Sequence, residues 1–162
     1  MEKKSMKKIS TKQLEEILAE HRLWLKGIGG SKADLSGTDL SGIDLSCAVD
    51  LRRINLSGAD LSGANLPRTN LSGADLSDAD LKNANLSDAR MFYGNLRRTN
   101  LSGANLTHAD MHNSDLTDAV LLGTCLVGTI LSDANLSGTD IFLANACTTD
   151  KISSAPIDFF LI

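Results

Sequence analysis

From residue 33 onward the apolar residues of this chain recur with a period of five. Leucine or an apolar substitute stands at 35, 40 and 45, then at every fifth position from 51 to 141, with Ala146 as a weak last member. The residue two before each centre is usually small (Ala59, Ala64, Thr69, Ala74, Ala79, Ala84). The residue one before is usually Asp or Asn, and the two that follow are usually polar or Gly. On an α-helix, five steps leave each leucine about 140° from the last, so no apolar stripe forms. On one long strand the leucines would alternate faces, because five is odd. A three-residue strand followed by a corner meets both objections. Ala59 and Leu61 then point inward, Asp60 points outward, and Ser62-Gly63 turns the chain, Gly tolerating the positive φ of such a corner. Four sides close a square coil, and successive coils pair as parallel strands about 4.8 Å apart. The 23 units make about 5–6 coils and a rod roughly 28 Å tall. The predicted fold is an all-β solenoid.

Units of the form Ala-(Asp/Asn)-Leu-Ser-Gly, as at 33–37 and in the run ADLSGANLPRTNLSGADLSDADLKNANLSD from residue 59, resemble those of the pentapeptide-repeat family. The resemblance covers residues 33–146, about 70% of the chain. It implies a right-handed quadrilateral parallel β-helix; the coil follows from the spacing, the handedness only from the resemblance.

The segments outside the repeat complete the layout. Residues 1–9 read as a flexible N-terminus, 10–30 as a capping helix with a Gly-rich link, 31–146 as the β-helix and 147–162 as an apolar tail. Ser10 and Gln13 form a capping-box pattern, and Leu14, Ile17, Leu18, His21 and Leu25, with Trp24, line one side before Gly27, Gly29 and Gly30 end the helix. Such a helix covers the first coil, whose apolar side chains and strand edges are otherwise open. The tail ends in Phe159, Phe160, Leu161 and Ile162, and either caps the bottom coil or joins two chains, a homodimer contact that some members of the resembled family make. One unit is irregular: Leu45 to Leu51 spans six residues, read as a local kink.

Positions twenty apart stack, so the outward residues fall into four columns. One alternates strictly as Asn55, Asp75, Asn95, Asp115, Asn135, which spaces like charges and permits amide ladders. The same register sets Arg98 between Asp78 and Asp118 and Arg68 on Asp88, whereas Arg52 and Arg53 lack an acidic column neighbour. Phe92 and Tyr93 face outward two coils below them, near His112. Exposed aromatics beside arginines are enriched at interfaces, which makes Arg52, Arg53, Phe92, Tyr93 and His112 a candidate interaction surface. A second group, Leu122, Val127, Phe142 and Leu143 with Val120, Cys125 and Ile130, is apolar at nominally outward positions. Beside Phe159, Phe160, Leu161 and Ile162 it forms the candidate cap or dimer contact.

The 162 residues carry a net charge of −4 and only 4% aromatics. Three widely spaced cysteines make neither a disulfide framework nor a zinc site, and a reduced cytoplasmic setting is the default. No apolar run approaches the roughly 20 residues of a membrane span. His108 and His112 are separated by a corner rather than aligned on a helix, and the carboxylates face flat walls. Neither catalytic residues, a cofactor nor a metal is expected. Threonines 69, 99, 124 and 129 point inward, which removes the flat Thr array of an ice-binding face. The reading is a non-enzymatic interaction scaffold for an unknown protein partner, with no direct nucleic-acid binding and no membrane. The resemblance brings an alternative, mimicry of B-DNA by a member that binds DNA gyrase or another topoisomerase. Residues 31–146 hold eight basic against fourteen acidic residues, a net −6, far sparser than one charge per roughly 1.7 Å of duplex.

Overall fold

The computed structural model describes residues 6–46 and 50–144, and within them most units satisfy their backbone in one repeating way. In unit 60–64, Asp60 N–H donates to Thr38 O in the preceding coil (3.0 Å) and Leu61 N–H to Asp80 O in the following one (2.7 Å). Gly63 N–H donates to Lys82 O (2.8 Å), and Ala64 N–H closes the corner on Leu61 O (3.0 Å). The N–H left over, on Ser62, is taken by the Asp60 carboxylate (3.0 Å), which also accepts from the Ser62 hydroxyl (2.6 Å). Asp or Asn thus precedes the centre because its side chain supplies an acceptor that neither neighbouring coil can reach. The second corner residue lies near φ +60° at every described corner, as Gly63 (+66°) and also as Asn83 (+58°) or Tyr93 (+56°). A side chain there costs on the order of 1 kcal/mol.

Parallel bridges join the coils into four walls. The first runs Asp34, Asn55, Asp75, Asn95, Asp115, Asn135; the second Asp39, Asp60, Asp80, Asn100, Val120; the third Asp44, Asn65, Asn85, Asn105, Cys125; the fourth Asp50, Asn70, Arg90, Asp110, Ile130. The fold is a right-handed quadrilateral β-helix. Its shaft is dry: Leu61, Leu81 and Leu101 are at most 1% exposed, each such leucine contributing about 1.5–3 kcal/mol on burial. The kinked unit is where the bridge offset changes, from Asp44↔Asn65 to Asp50↔Asn70, so the extra residue is absorbed between the third and fourth walls. The ladder regularity stops at the bottom, where Ile141–Leu143 form a 3-10 turn.

Helix α1 (Thr11–Leu25) carries the reciprocal Ser10–Gln13 capping box and buries Leu14 and Leu18 in one cluster with Ala33, Leu35 and Leu40 of the first coil. His21, fully buried, pins it. Its Nδ1 accepts from Ala33 N–H (3.1 Å), so Nε2 carries the proton and donates to Arg52 O (3.0 Å). Within residues 1–9, strand β1 (Lys7–Lys8) pairs in parallel with β2 (Thr38–Asp39) and adds an edge to the second wall. Lys7 N–H donates to Gly37 O (3.0 Å), a pairing that the open edge of the first coil makes available.

Candidate functional site

The fourth wall and its corner toward the first wall place large side chains above and below a small one. Down that corner the residues run Arg52-Arg53, Ser72-Gly73, Phe92-Tyr93. Ser72 and Gly73 make a notch two rungs wide, roughly 10 Å at the strand spacing, and the end of α1 closes it from above. The result is an open groove of about 680 Å³ lined by Trp24, Leu25, Arg52, Arg53, Ser72, Gly73, Phe92 and Tyr93. Four of the five residues expected to form an interaction surface meet here. His112 stands behind them, stacked on Phe92 (ring centroids 4.9 Å, interplanar 16°) and edge-on to Tyr93 (5.6 Å). Its Nδ1 lies 2.7 Å from Asp110 Oδ1. The rings are therefore braced from the protein side, while Tyr93 remains 64% exposed.

The two arginines differ. Arg52, expected to lack an acidic neighbour, forms a two-pronged pair with Asp50 of its own unit (Nε–Oδ1 2.8 Å, Nη2–Oδ2 2.7 Å). That pairing lowers the Asp50 carboxyl below its ordinary range. The column rule overlooked this because the partner lies two residues back rather than twenty. Arg53 makes no ion pair with any described residue, and its side chain leans over Gly73, where an added Cβ would lie 3.6 Å from Arg53 Cγ. Arg90, exposed on the same wall, likewise pairs with no described carboxylate. With Asp50 engaged by Arg52, the guanidinium of Arg53 gives the groove a local positive charge on an acidic protein. Elsewhere Arg98 binds Asp78 as the columns foretold (2.7 Å twice), with Asp118 adding only a weaker attraction. Arg68 and Asp88 form no ion pair among the described residues.

Trp24, Leu25, Ser72 and Gly73 were not singled out as site residues from the sequence. The available signal was the break in the repeat, since Arg90 replaces the Asp or Asn that normally caps the corner, and the next corner residues are aromatic. Nothing in the repeat could place the end of α1 over this corner, because that depends on His21 reaching Arg52 O.

The second candidate group is divided. Val120 (41% exposed) and Leu122 (53%) stand in the open, while Cys125, Val127 and Ile130 are half-buried on the same rung. The Thr107 hydroxyl beside Cys125 lowers its thiol. Phe142 is exposed on the 3-10 turn one rung below Leu122. The side chain of Leu143, and Phe159, Phe160, Leu161 and Ile162, lie outside the described residues. His108 and His112 occupy different corners of the rod, consistent with their register. None of the helices among the described residues is long and apolar enough to cross a membrane.

A family model described as Pentapeptide repeats matches residues 50–91 and 95–133 in eight copies. Among solved structures, the chain is similar to a pentapeptide repeat protein from the Arabidopsis thaliana thylakoid lumen, with 28% identity over 69% of each chain and a TM-score of 0.45. It is similar to QnrB1, a plasmid-mediated fluoroquinolone resistance protein, with 24% identity over 67% of this chain and 58% of that one and a TM-score of 0.55. A third likeness is to the pentapeptide repeat protein Rfr23 from the cyanobacterium Cyanothece 51142, with 26% identity over 82% and 97% of the two chains and a TM-score of 0.46. No curated protein matches.

Proposed function

The chain belongs to the pentapeptide-repeat family, and from that premise we propose that it is a non-enzymatic scaffold that holds a protein partner in the groove between α1 and the fourth wall. The observation that carries this reading is Arg53, a guanidinium without a described carboxylate partner, set among Trp24, Phe92 and Tyr93 over a floor of Ser72 and Gly73. The partner segment places a carboxylate on Arg53 and an aromatic or long aliphatic side chain in the notch beside Tyr93. Aromatic rings and arginine are the groups that dominate such contacts, and the braced rings lose little freedom on binding. Arg90 adds a second positive charge for an acidic residue nearby.

Selection of random heptapeptides on the immobilised protein tests it. Enriched sequences are expected to pair Asp or Glu with an adjacent aromatic or aliphatic residue. Arg53→Glu or Tyr93→Ser should each weaken a selected peptide at least tenfold. Peptides without acidic bias, or binding indifferent to both substitutions, would remove the groove from consideration.

A further inference from the structure

On the fourth wall one rung keeps the backbone of its neighbours and drops their cap. Asp50, Asn70 and Asp110, above and below it, accept the N–H of Arg52, Ser72 and His112 two residues on (3.3, 3.1 and 3.3 Å). Arg90 occupies the same position between Asn70 and Asp110, and a guanidinium has no acceptor to offer. The rest of the unit is regular. Arg90 N–H donates to Thr69 O (3.0 Å), Met91 N–H to Asp110 O (2.7 Å), Tyr93 N–H to His112 O (3.2 Å) and Gly94 N–H to Met91 O (3.1 Å). The Phe92 N–H is left without an acceptor among the described residues. The repeat aims it at the outer surface, because on the neighbouring rungs the acceptor is an outward side chain. Val120 and Ile130 likewise carry no acceptor, but they set an apolar side chain beside the corner. At Arg90 a cation stands there instead.

We propose that an aspartate or glutamate side chain of the partner docks on this rung, its carboxylate taking the part that Asp or Asn plays on the rungs around it. One carboxylate oxygen accepts the Phe92 N–H and the other pairs with the Arg90 guanidinium. The inference rests on the groove being the partner site and adds a second acidic contact at its lower edge, since Phe92 lines the groove and Arg90 lies two residues before it. The chain's own carboxylates nearby are turned elsewhere. Asp110, directly below, accepts the His112 N–H and lies 2.7 Å from His112 Nδ1. Asp50, two rungs above, holds Arg52 in its two-pronged pair. Arg90 is exposed and forms no ion pair among the described residues, so its guanidinium can turn to a carboxylate from outside. A carboxylate is favoured over a carboxamide because hydrogen bond and ion pair then reinforce each other.

The Phe92 amide reports on this contact directly. In proton–nitrogen correlation spectra of the full chain, the blocked dipeptide N-acetyl-Asp-Leu-amide is expected to move the Phe92 amide proton downfield. The amides of Ser72 and His112, already capped, should move less. The same dipeptide with Asn in place of Asp should bind about tenfold more weakly. Two variants separate the amide from the charge. Arg90→Gln removes the cation with a side chain too long for the corner cap, so the Phe92 shift persists at weaker affinity. Arg90→Asn supplies the cap within the unit, so Phe92 starts downfield and the dipeptide no longer moves it. A Phe92 amide that stays still, or that responds alike in the Arg90→Asn variant, overturns the proposal. The Trp24 indole and the Gly73 amide read the groove in the same spectra. Movement there with Phe92 silent leaves the groove as the partner site and removes the second contact. Movement of Phe92 with both groove signals silent supports the contact and counts against the groove.

Discussion

Thr69 shows how narrow the tolerance of each shaft position is. Inward threonines at 99, 124 and 129 donate to the carbonyls of Leu76, Leu101 and Leu106, each 23 residues back (2.7–2.8 Å). For Thr69 the equivalent acceptor falls at the corner that carries the extra residue between Leu45 and Leu51, and its hydroxyl is buried without a partner among the described residues. An unpaired buried hydroxyl costs about 1–3 kcal/mol. Thr69→Val should therefore raise the midpoint of thermal unfolding, whereas Thr99→Val, which breaks a made hydrogen bond, should lower stability by about 1 kcal/mol. Opposite signs in calorimetry are the outcome to look for; a loss in both would mean the kink is not the reason. The outward ladders follow similar logic. Asn95 donates to Asp75 (3.0 Å) and separates it from Asp115. Asn95→Asp stacks three carboxylates roughly 4.8 Å apart, each neighbouring pair repelling by about 0.9 kcal/mol even at the dielectric of water. A loss of about 1–2 kcal/mol that shrinks in 1 M salt is expected in denaturant titrations.

At the scale of the element, α1 is held by apolar contact and by one titratable pin. Burial lowers the pKa of His21 from its ordinary 6.5, against weaker upward pulls from its bond to Arg52 O and from Asp50, with Lys32 adding to the lowering. The neutral ring is the form that accepts from Ala33 N–H. As pH falls below 6.5 the unfolded chain takes up the proton first, so the unfolded state binds more protons and stability falls. The carboxylates act in a separate window. Asp34, capped by Ser36, and Asp78, paired with Arg98, have pKa values lowered in the fold. Their contribution persists above about pH 4 and disappears as pH falls through the lowered values. Unfolding followed from pH 7.5 to 5 should thus show a decline belonging to the helix, absent in His21→Ala. That variant should itself lose about 2–3 kcal/mol at pH 7.5 by orphaning Ala33 N–H and emptying the ring's site. An unchanged slope in the variant would assign the decline to another group.

For the whole molecule, the distribution of charge matters more than its sum. A net −6 on residues 31–146 is spread over four walls in which Asn interrupts Asp, and it is broken by the basic groove at the fourth wall. A duplex of similar length carries roughly 16 charges. We therefore expect the purified protein to leave DNA supercoiling by gyrase unchanged at micromolar concentration; inhibition or quinolone protection in that assay would restore the mimicry alternative.

The repeat made much of this legible before any coordinates. A period of five admits one closed solution with Leu61, Leu81 and Leu101 inside, and the capping box and the column pairing of Arg98 with Asp78 followed from spacing alone. Periodicity determines register, and register determines which side chains share a wall or a shaft. Tertiary structure decided what interrupts that register. Lys7–Lys8 carries no repeat signal and forms its strand where the first coil leaves an edge to pair. Arg52 turned to a partner in its own unit. The groove exists because a buried imidazole fastens the end of α1 above Ser72 and Gly73. Those outcomes depend on through-space contacts between segments that share no period, so a reading confined to spacing had no handle on them.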